Sequence, residues 1–96
     1  MGLSVGAEEH SREVKVTNAY GIHARPAALI VKEAAQYNAE ITLEKEGNVV
    51  SCKSIMGLMT IEGFPGSVLT LSATGTDAIA ALDAIESLFL NRFNEE

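Results

Sequence analysis

The sequence is poor in several residue types that would identify a particular class of protein. Its 96 residues include one cysteine, two prolines and no tryptophan. A single cysteine excludes an internal disulfide, so we expect a reducing compartment. Cys52 is predicted to be a small buried residue of a strand rather than a nucleophile. No apolar run approaches the roughly 18 residues of a membrane helix and no signal peptide is recognisable, which favours the cytoplasm without membrane insertion.

Positive charge is also scarce. The chain has 7 basic and 13 acidic residues and a formal net charge of −6. This balance argues against a nucleic-acid binder, which would carry a basic stripe. Arg25, Lys32 and Lys53 lie in or between the two motifs described below, and they suggest an acidic partner surface. His10 has no second ligand at metal-binding spacing, and we expect neither a metal nor another cofactor.

A helix is predicted to begin near His23. Apolar residues recur after it with helical spacing at Ala27, Ile30, Val31 and Ala34. Gly21 supplies the preceding turn, and Pro26 suits a first helical turn because its missing N–H is not needed there. The first-turn N–H groups are expected to point outward, with the positive end of the helix dipole behind them. They form a predicted anion site with contributions from Ala24, Arg25 and Ala27.

The chemistry predicted at this helix start is phosphoryl transfer. Imidazole is a nucleophile near neutral pH, and the helix dipole and Arg25 both disfavour the imidazolium, so His23 is expected to stay neutral. After phosphorylation, the backbone N–H groups of Ala24 and Arg25 and the Arg25 guanidinium would stabilise the dianion. No Asp, Glu or second His accompanies His23 in this stretch, which favours a carrier over a hydrolase. On spacing alone, a surface or capping histidine is the alternative.

Two segments resemble parts of a known family. Residues 17–27, TNAYGIHARPA, resemble the active-site signature of HPr, the histidine-containing phosphocarrier of the bacterial phosphoenolpyruvate-dependent phosphotransferase system. Residues 51–59, SCKSIMGLM, resemble the regulatory serine site of that family, and the resemblance covers about residues 12–93. It implies that His23 accepts a phosphoryl group on Nδ1 from phosphorylated enzyme I and passes it to a IIA domain of a sugar permease. It further implies a monomeric carrier without turnover.

The second motif combines a capping serine with an apolar run. Ser54 precedes Ile55-Met56-Gly57-Leu58-Met59 and is predicted to cap a short helix through its hydroxyl. The resemblance implies that Ser54 is also the regulatory phosphorylation site, used in carbon catabolite regulation by an HPr kinase/phosphorylase. A short helix cannot bury so many apolar side chains, so Ile55 and Met56 are expected to form an exposed docking patch beside the His23 site. A generic core helix is the alternative. Lys32 and Lys53 are the candidate charged docking residues.

The chain is predicted to form one α+β domain. Residues 1–11 are expected to be a flexible extension and residues 12–96 the domain. Alternating strands are predicted at residues 12–18, 40–45, 49–53 and 67–73, with helices at 24–37, after Ser54 and from 78 onward. Asn38 is expected to end the first helix in the left-handed conformation, and residues 91–96 are expected to fray.

The element order β-α-β-β-α-β-α favours a two-layer, open-faced β-sandwich. The HPr resemblance implies a four-stranded antiparallel sheet with three helices on one face, and a ferredoxin-like arrangement is the nearest alternative. The sequence leaves open whether Val49 or Val50 faces the core.

The sequence departs from the family in the loop that follows the short helix. Glu62 replaces a residue that is commonly glycine, and Pro65 is unusual there.

Three other functions are compatible with the sequence. One is a nitrogen-related or purely regulatory phosphocarrier that serves no sugar permease. A second, from another class, is a small hydrolase such as an acylphosphatase, which would release inorganic phosphate with turnover. A third is an interaction module in which the motif is only structural. Incubation with labelled phosphoenolpyruvate and enzyme I would separate the carrier from the last two.

Overall fold

The computed structural model describes residues 8–95. It contains seven regular elements and one helical turn near the C-terminus. In chain order these are β1 (Glu9–Lys15), α1 (Ala24–Ala34), β2 (Glu40–Lys45), β3 (Asn48–Ser51), α2 (Ile55–Thr60), β4 (Val68–Thr74), α3 (Ala78–Leu90) and the turn Arg92–Asn94. The order of helices and strands is the predicted one. Within residues 8–95, no helix combines the length and the apolar character needed to span a membrane.

The four strands form one antiparallel sheet in the order β1-β4-β2-β3. Period-two alternation places one set of side chains on the covered face, and the buried members include Val14, Ile41, Leu43, Leu69 and Leu71. Burial of each of these side chains contributes about 1.5–3 kcal/mol. The open face carries mainly polar residues. The predicted two-layer architecture is therefore confirmed.

The helices cover the apolar face of the sheet. The buried side of α1 includes Ala27, Ile30 and Ala34, and that of α3 includes Ala81, Leu82, Ile85 and Phe89. Helix α1 ends at Ala34, three residues earlier than predicted, because Gln36 and Tyr37 donate to carbonyl groups only three residues back. Asn38 does not adopt the expected left-handed conformation. Its backbone N–H instead donates to the Asp77 carboxylate at 2.7 Å, which ties the end of α1 to the start of α3.

The N-terminal boundary differs from the prediction. Strand β1 begins at Glu9, which pairs with Thr74, so the last three residues of the predicted extension belong to the sheet. His10 is half-buried in this strand and is not the solvated tail residue that the sequence suggested. Residues 1–7 of the extension lie outside the described residues.

The β2–β3 hairpin turns at Glu46 and Gly47. Both residues have positive φ, 51° and 86°, as a two-residue type I′ turn requires. Strand β3 spans Asn48–Ser51 and is shorter than the predicted strand over 49–53. Val49 is 57% exposed, whereas Val50 packs against the core, which resolves the ambiguity between the two valines.

The buried position predicted for Cys52 is confirmed. Its side chain is fully buried behind the hairpin, and the residue makes its backbone hydrogen bond to Ile41 O. Burial raises the pKa of the Cys52 thiol to about 12. The thiolate form is therefore suppressed at neutral pH, as expected for a packing residue rather than a nucleophile.

Residues 91–95 do not fray, contrary to the prediction, and Glu96 lies outside the described residues. Residues 91–95, called the C-terminal strap below, turn back toward the N-terminus of α1. Three consecutive residues of the strap, Arg92, Phe93 and Asn94, have φ of 54°, 54° and 60°. This left-handed conformation is costly for residues other than glycine. Phe93 is fully buried and its ring centroid lies 4.9 Å from that of Phe89, so apolar packing holds the strap in place.

Candidate active site

His23 caps the N-terminus of α1. Its backbone is extended, with φ −104° and ψ −163°, and its carbonyl accepts the first helical hydrogen bond from the Ala27 N–H at 2.9 Å. The expectation that the Ala27 N–H points outward is therefore wrong. In the part of the chain that the structure describes, the N–H groups of Ala24 and Arg25 have no protein acceptor. They remain available to an anion, as predicted, and the His23 side chain is 40% exposed.

The turn that presents His23 is packed closely against the loop of residues 62–66. Gly21 has φ of 68°, and a Cβ atom there would lie 2.2 Å from Gly63 O. The Ile22 N–H donates to the same carbonyl at 2.9 Å, while the Ile22 side chain is buried. Glycine is therefore required at position 21 for both its conformation and the close approach of two backbones.

A carboxylate that the sequence analysis did not assign contacts the His23 ring. Glu95, at the end of the strap, accepts a hydrogen bond from His23 Nε2 at 3.0 Å. A carboxylate can only accept, so Nε2 carries the proton and the lone pair of the neutral imidazole lies on Nδ1. Glu95 thus selects the ring nitrogen that is free to react. Glu95 also places a negative charge beside the ring. The expectation that His23 stays neutral considered only the helix dipole and Arg25 and did not include this charge.

Asn18 holds this carboxylate in position. Its side chain is fully buried, and Nδ2 donates to Glu95 Oε1 and to Gly21 O, both at 2.9 Å. The Asn18 hydrogen bond, and secondarily that from His23, holds the pKa of Glu95 below its usual range. Asn18 therefore connects the site turn to the strap. It lies within the first motif, but the sequence analysis gave it no role.

Arg25 reaches the same carboxylate from the first turn of α1. Its Nη1 donates to Phe93 O at 2.8 Å and to Glu95 Oε2 at 3.4 Å. One carboxylate oxygen therefore lies between the His23 ring and the Arg25 guanidinium. Both contacts use Nη1, so the donors on Nε and Nη2 remain for a phosphate. The structure thus brings His23, Arg25 and the two free amides together, as the sequence predicted.

The second motif forms the start of α2, which packs against α1. Ser54 caps α2 as predicted, since its Oγ accepts from the Gly57 N–H at 3.0 Å. Ile55 and Met56 are 42% and 75% exposed, as expected. The exposed aromatic residue beside His23 is Tyr20, whose ring lies edge-on at 6.1 Å between centroids; the sequence analysis did not select it.

The two candidate docking lysines lie toward the opposite end of α1. Lys32 is exposed in the last turn of the helix, and Lys53 Nζ donates to Tyr37 O just beyond it. With a rise of about 1.5 Å per residue, Lys32 lies about 13 Å along the helix axis from His23. The structure therefore places both lysines toward the C-terminal end of α1, away from the His23 ring.

This fold, with an accessible histidine at an amide-bearing helix N-terminus, defines the class of small histidine phosphocarriers. A family model described as the PTS HPr component phosphorylation site matches residues 10–91. The phosphocarrier protein HPr of Treponema pallidum (strain Nichols) is 48% identical over 85 residues, or 88% of this chain and 97% of that protein. The HPr-like protein Crh of Halalkalibacterium halodurans is 45% identical over 74 residues, or 77% of this chain and 88% of that protein.

The fold comparison agrees. The crystal structure of HPr-C-His from Thermoanaerobacter tengcongensis matches with a TM-score of 0.87 and 39% identity, covering 91% of this chain and 98% of that chain. The chain belongs to the HPr family. The HPr-type fold implied by the resemblance in the sequence is confirmed, and the ferredoxin-like alternative is excluded.

Proposed function

We propose that the protein carries a phosphoryl group on His23 Nδ1, which it receives from phosphorylated enzyme I and passes to a IIA domain of a sugar permease. The observation that carries this proposal is the Glu95 carboxylate on Nε2, 3.0 Å away, which leaves the Nδ1 lone pair free on a partly exposed ring. In each transfer one P–N bond breaks on the donor histidine as another forms on the acceptor. In the neutral ring with its proton on Nε2, no proton has to leave Nδ1 before attack.

The surroundings of His23 suit a transferable phosphate. The Ala24 and Arg25 N–H groups and the remaining guanidinium donors can contact its oxygens, with the helix dipole adding partial positive charge. The Glu95 carboxylate contacts the same ring from its Nε2 side and the same guanidinium, so its negative charge opposes a second anion on these groups. A site that stabilises phosphate only in part can release it to the next protein, as a carrier requires.

Hydrolysis is disfavoured by geometry rather than by the absence of a carboxylate. No acidic residue accompanies His23 in the first motif, yet Glu95 contacts the ring. Its carboxylate is held on the Nε2 side by Asn18, 2.9 Å from Oε1, so it is not placed beside Nδ1 to activate an attacking water. This arrangement favours a carrier over the acylphosphatase-like alternative.

Labelling with phosphoenolpyruvate and enzyme I tests the proposed acceptor. The wild-type protein should form an acid-labile, alkali-stable phosphoprotein, and His23→Ala should abolish it. His10→Ala is the matched control, because His10 is the only other histidine and lies in β1. Labelling of His23→Ala, or release of inorganic phosphate with turnover, would refute the assignment. Transfer onward to a IIA domain distinguishes a sugar carrier from a nitrogen-related or purely regulatory one.

Ser54 is proposed as a second, regulatory phosphorylation site for an HPr kinase/phosphorylase. A phosphate on its Oγ would place roughly −2 of charge beside exposed Ile55 and Met56, which we propose as docking residues for enzyme I. Ser54→Asp should weaken enzyme I binding and preserve the fold. Ser87→Asp, on the exposed side of α3, adds the same charge elsewhere. Equal affinities of both variants would leave Ser54 as a cap only. The monomeric state and the docking roles of Lys32 and Lys53 stay predictions.

A further inference from the structure

The loop of residues 62–66 forms the wall against which the His23 turn is built. Gly63 O accepts from the Ile22 N–H at 2.9 Å, and a Cβ atom on Gly63 would lie 2.8 Å from Ile22 Cδ1. Backbone and side chain of Ile22 are thus both in close contact with Gly63. Any shift of this carbonyl displaces the residue that immediately precedes His23.

This wall contains a strained residue next to its central contact. Glu62 has φ of 59°, in the left-handed region that glycine adopts freely and other residues adopt at a cost. The conformation explains why the departure from glycine noted in the sequence carries a cost, since glycine would fit this position without strain. A non-glycine residue here needs a compensating contact to hold the loop in one conformation.

Lys45 supplies such a contact from the end of β2. Its Nζ donates to Glu62 O at 2.6 Å and lies 4.8 Å from the centroid of the Phe64 ring. One ammonium group therefore binds the residue on each side of Gly63. A charged hydrogen bond and a cation–π contact restrain the loop where it meets the His23 turn.

We propose that Lys45 is a positioning residue for His23, acting through the loop of residues 62–66 and the Gly63–Ile22 hydrogen bond. The inference rests on the proposed carrier function of His23, but its structural part does not depend on any partner. Lys45 touches neither the ring nor the phosphate cradle. Its effect is to hold the backbone that aims the imidazole.

The test compares Lys45→Met with Lys45→Arg and with Lys15→Met. Methionine keeps an apolar stem and removes the ammonium, arginine restores a cation with hydrogen-bond donors, and Lys15 is an exposed lysine of β1. Without any partner, Lys45→Met should accelerate hydrogen exchange of the Ile22 amide and shift the ring ¹⁵N resonances of His23. Lys45→Arg should restore both signals, and Lys15→Met should change neither.

Kinetics with enzyme I provide the second readout. Lys45→Met should lower kcat for phosphorylation about three- to tenfold with KM unchanged, because displacement of a reacting group by less than 1 Å costs rate rather than affinity. A higher KM with unchanged kcat and unchanged Ile22 exchange would overturn positioning and indicate a surface role. The positioning role would also be overturned if Lys45→Met had the same Ile22 exchange rate, His23 ring resonances and kcat as the wild-type protein.

A separate control distinguishes failure of the underlying function. If wild-type protein is never labelled by enzyme I, the carrier proposal fails, whatever Lys45→Met does to the Ile22 amide. If wild-type protein is labelled and Lys45→Met is indistinguishable from it, only the Lys45 proposal fails. Replacing strained Glu62 by glycine in the Lys45→Met background should recover part of the lost kcat, since the loop then needs less restraint; absence of any recovery would also contradict the proposal.

Discussion

Truncating Phe93 tests whether the C-terminal strap is a folded part of the site. The Phe93 side chain is fully buried against Phe89, and replacement of such a side chain by alanine costs about 3–5 kcal/mol. If the strap detached, relief of the left-handed strain on its three residues, about 1 kcal/mol each, would offset most of that loss. We therefore expect a net loss of about 1–2 kcal/mol, which corresponds to a fall in Tm of at least about 4 °C for a domain of this size.

The assay is thermal and urea unfolding of Phe93→Ala beside Leu90→Ala. Leu90 lies close by in sequence but is 74% exposed, so its truncation should stay within about 0.5 kcal/mol of wild type. The ring resonances of His23 should change in Phe93→Ala only, because Glu95 leaves the ring when the strap detaches. Equal Tm values for the two variants, or an unchanged His23 ring in Phe93→Ala, would refute the role assigned to the strap.

Three other predictions concern the groups around the ring. The pKa of Glu95 is lowered mainly by the hydrogen bond from Asn18, so the contribution of its carboxylate to stability is present above the ordinary glutamate pKa of about 4.3 and lost as pH falls through the lower folded value. Glu95→Gln should therefore be less stable than wild type at pH 7, and the difference in stability should shrink as the pH falls below the ordinary glutamate value of about 4.3; a difference that stays constant as the pH is lowered contradicts the assignment. Gly21→Ala should destabilise by about 2 kcal/mol or more, since its Cβ would lie 2.2 Å from a carbonyl oxygen, whereas Gly47→Ala, with open space around the Cβ, should cost about 1 kcal/mol in chemical denaturation. Similar losses would show that the close approach is unimportant. Arg25→Ala should fold normally and slow phosphotransfer about 10- to 100-fold in rapid-quench assays, and unchanged kinetics would remove Arg25 from the site.

The parts of the fold that the sequence predicted are those specified locally. Alternation in β2 and β4 and the positive-φ turn at Glu46-Gly47 depend on neighbouring residues, so pattern alone identifies them. The positions of His23 and Arg25 could also be predicted, because the cap residue and the first-turn residues of a helix lie close to its free N–H groups. Their chemistry follows from a segment of a few residues.

The strap could not be predicted in the same way. Its path depends on three non-glycine residues in the left-handed conformation, which no local propensity favours, and on burial of Phe93 at a distance in sequence. The contact between Glu95 and His23 spans 72 positions. The signal available in the sequence was weak: a lone aromatic residue after the last helix, followed by an acidic one. Asn18 was missed because its role requires the strap as its partner.

The position of Glu95 bears on how the molecule is handled in experiments. Because the Glu95 carboxylate lies 3.0 Å from His23 Nε2, an affinity sequence, dye or surface tether attached at Glu95 would occupy space beside the His23 ring. Glu9 begins β1, and Lys15 ends that strand on the side that leads to His23. These two residues are separated by about 20 Å of extended strand. Attachment on the Glu9 side leaves the ring accessible.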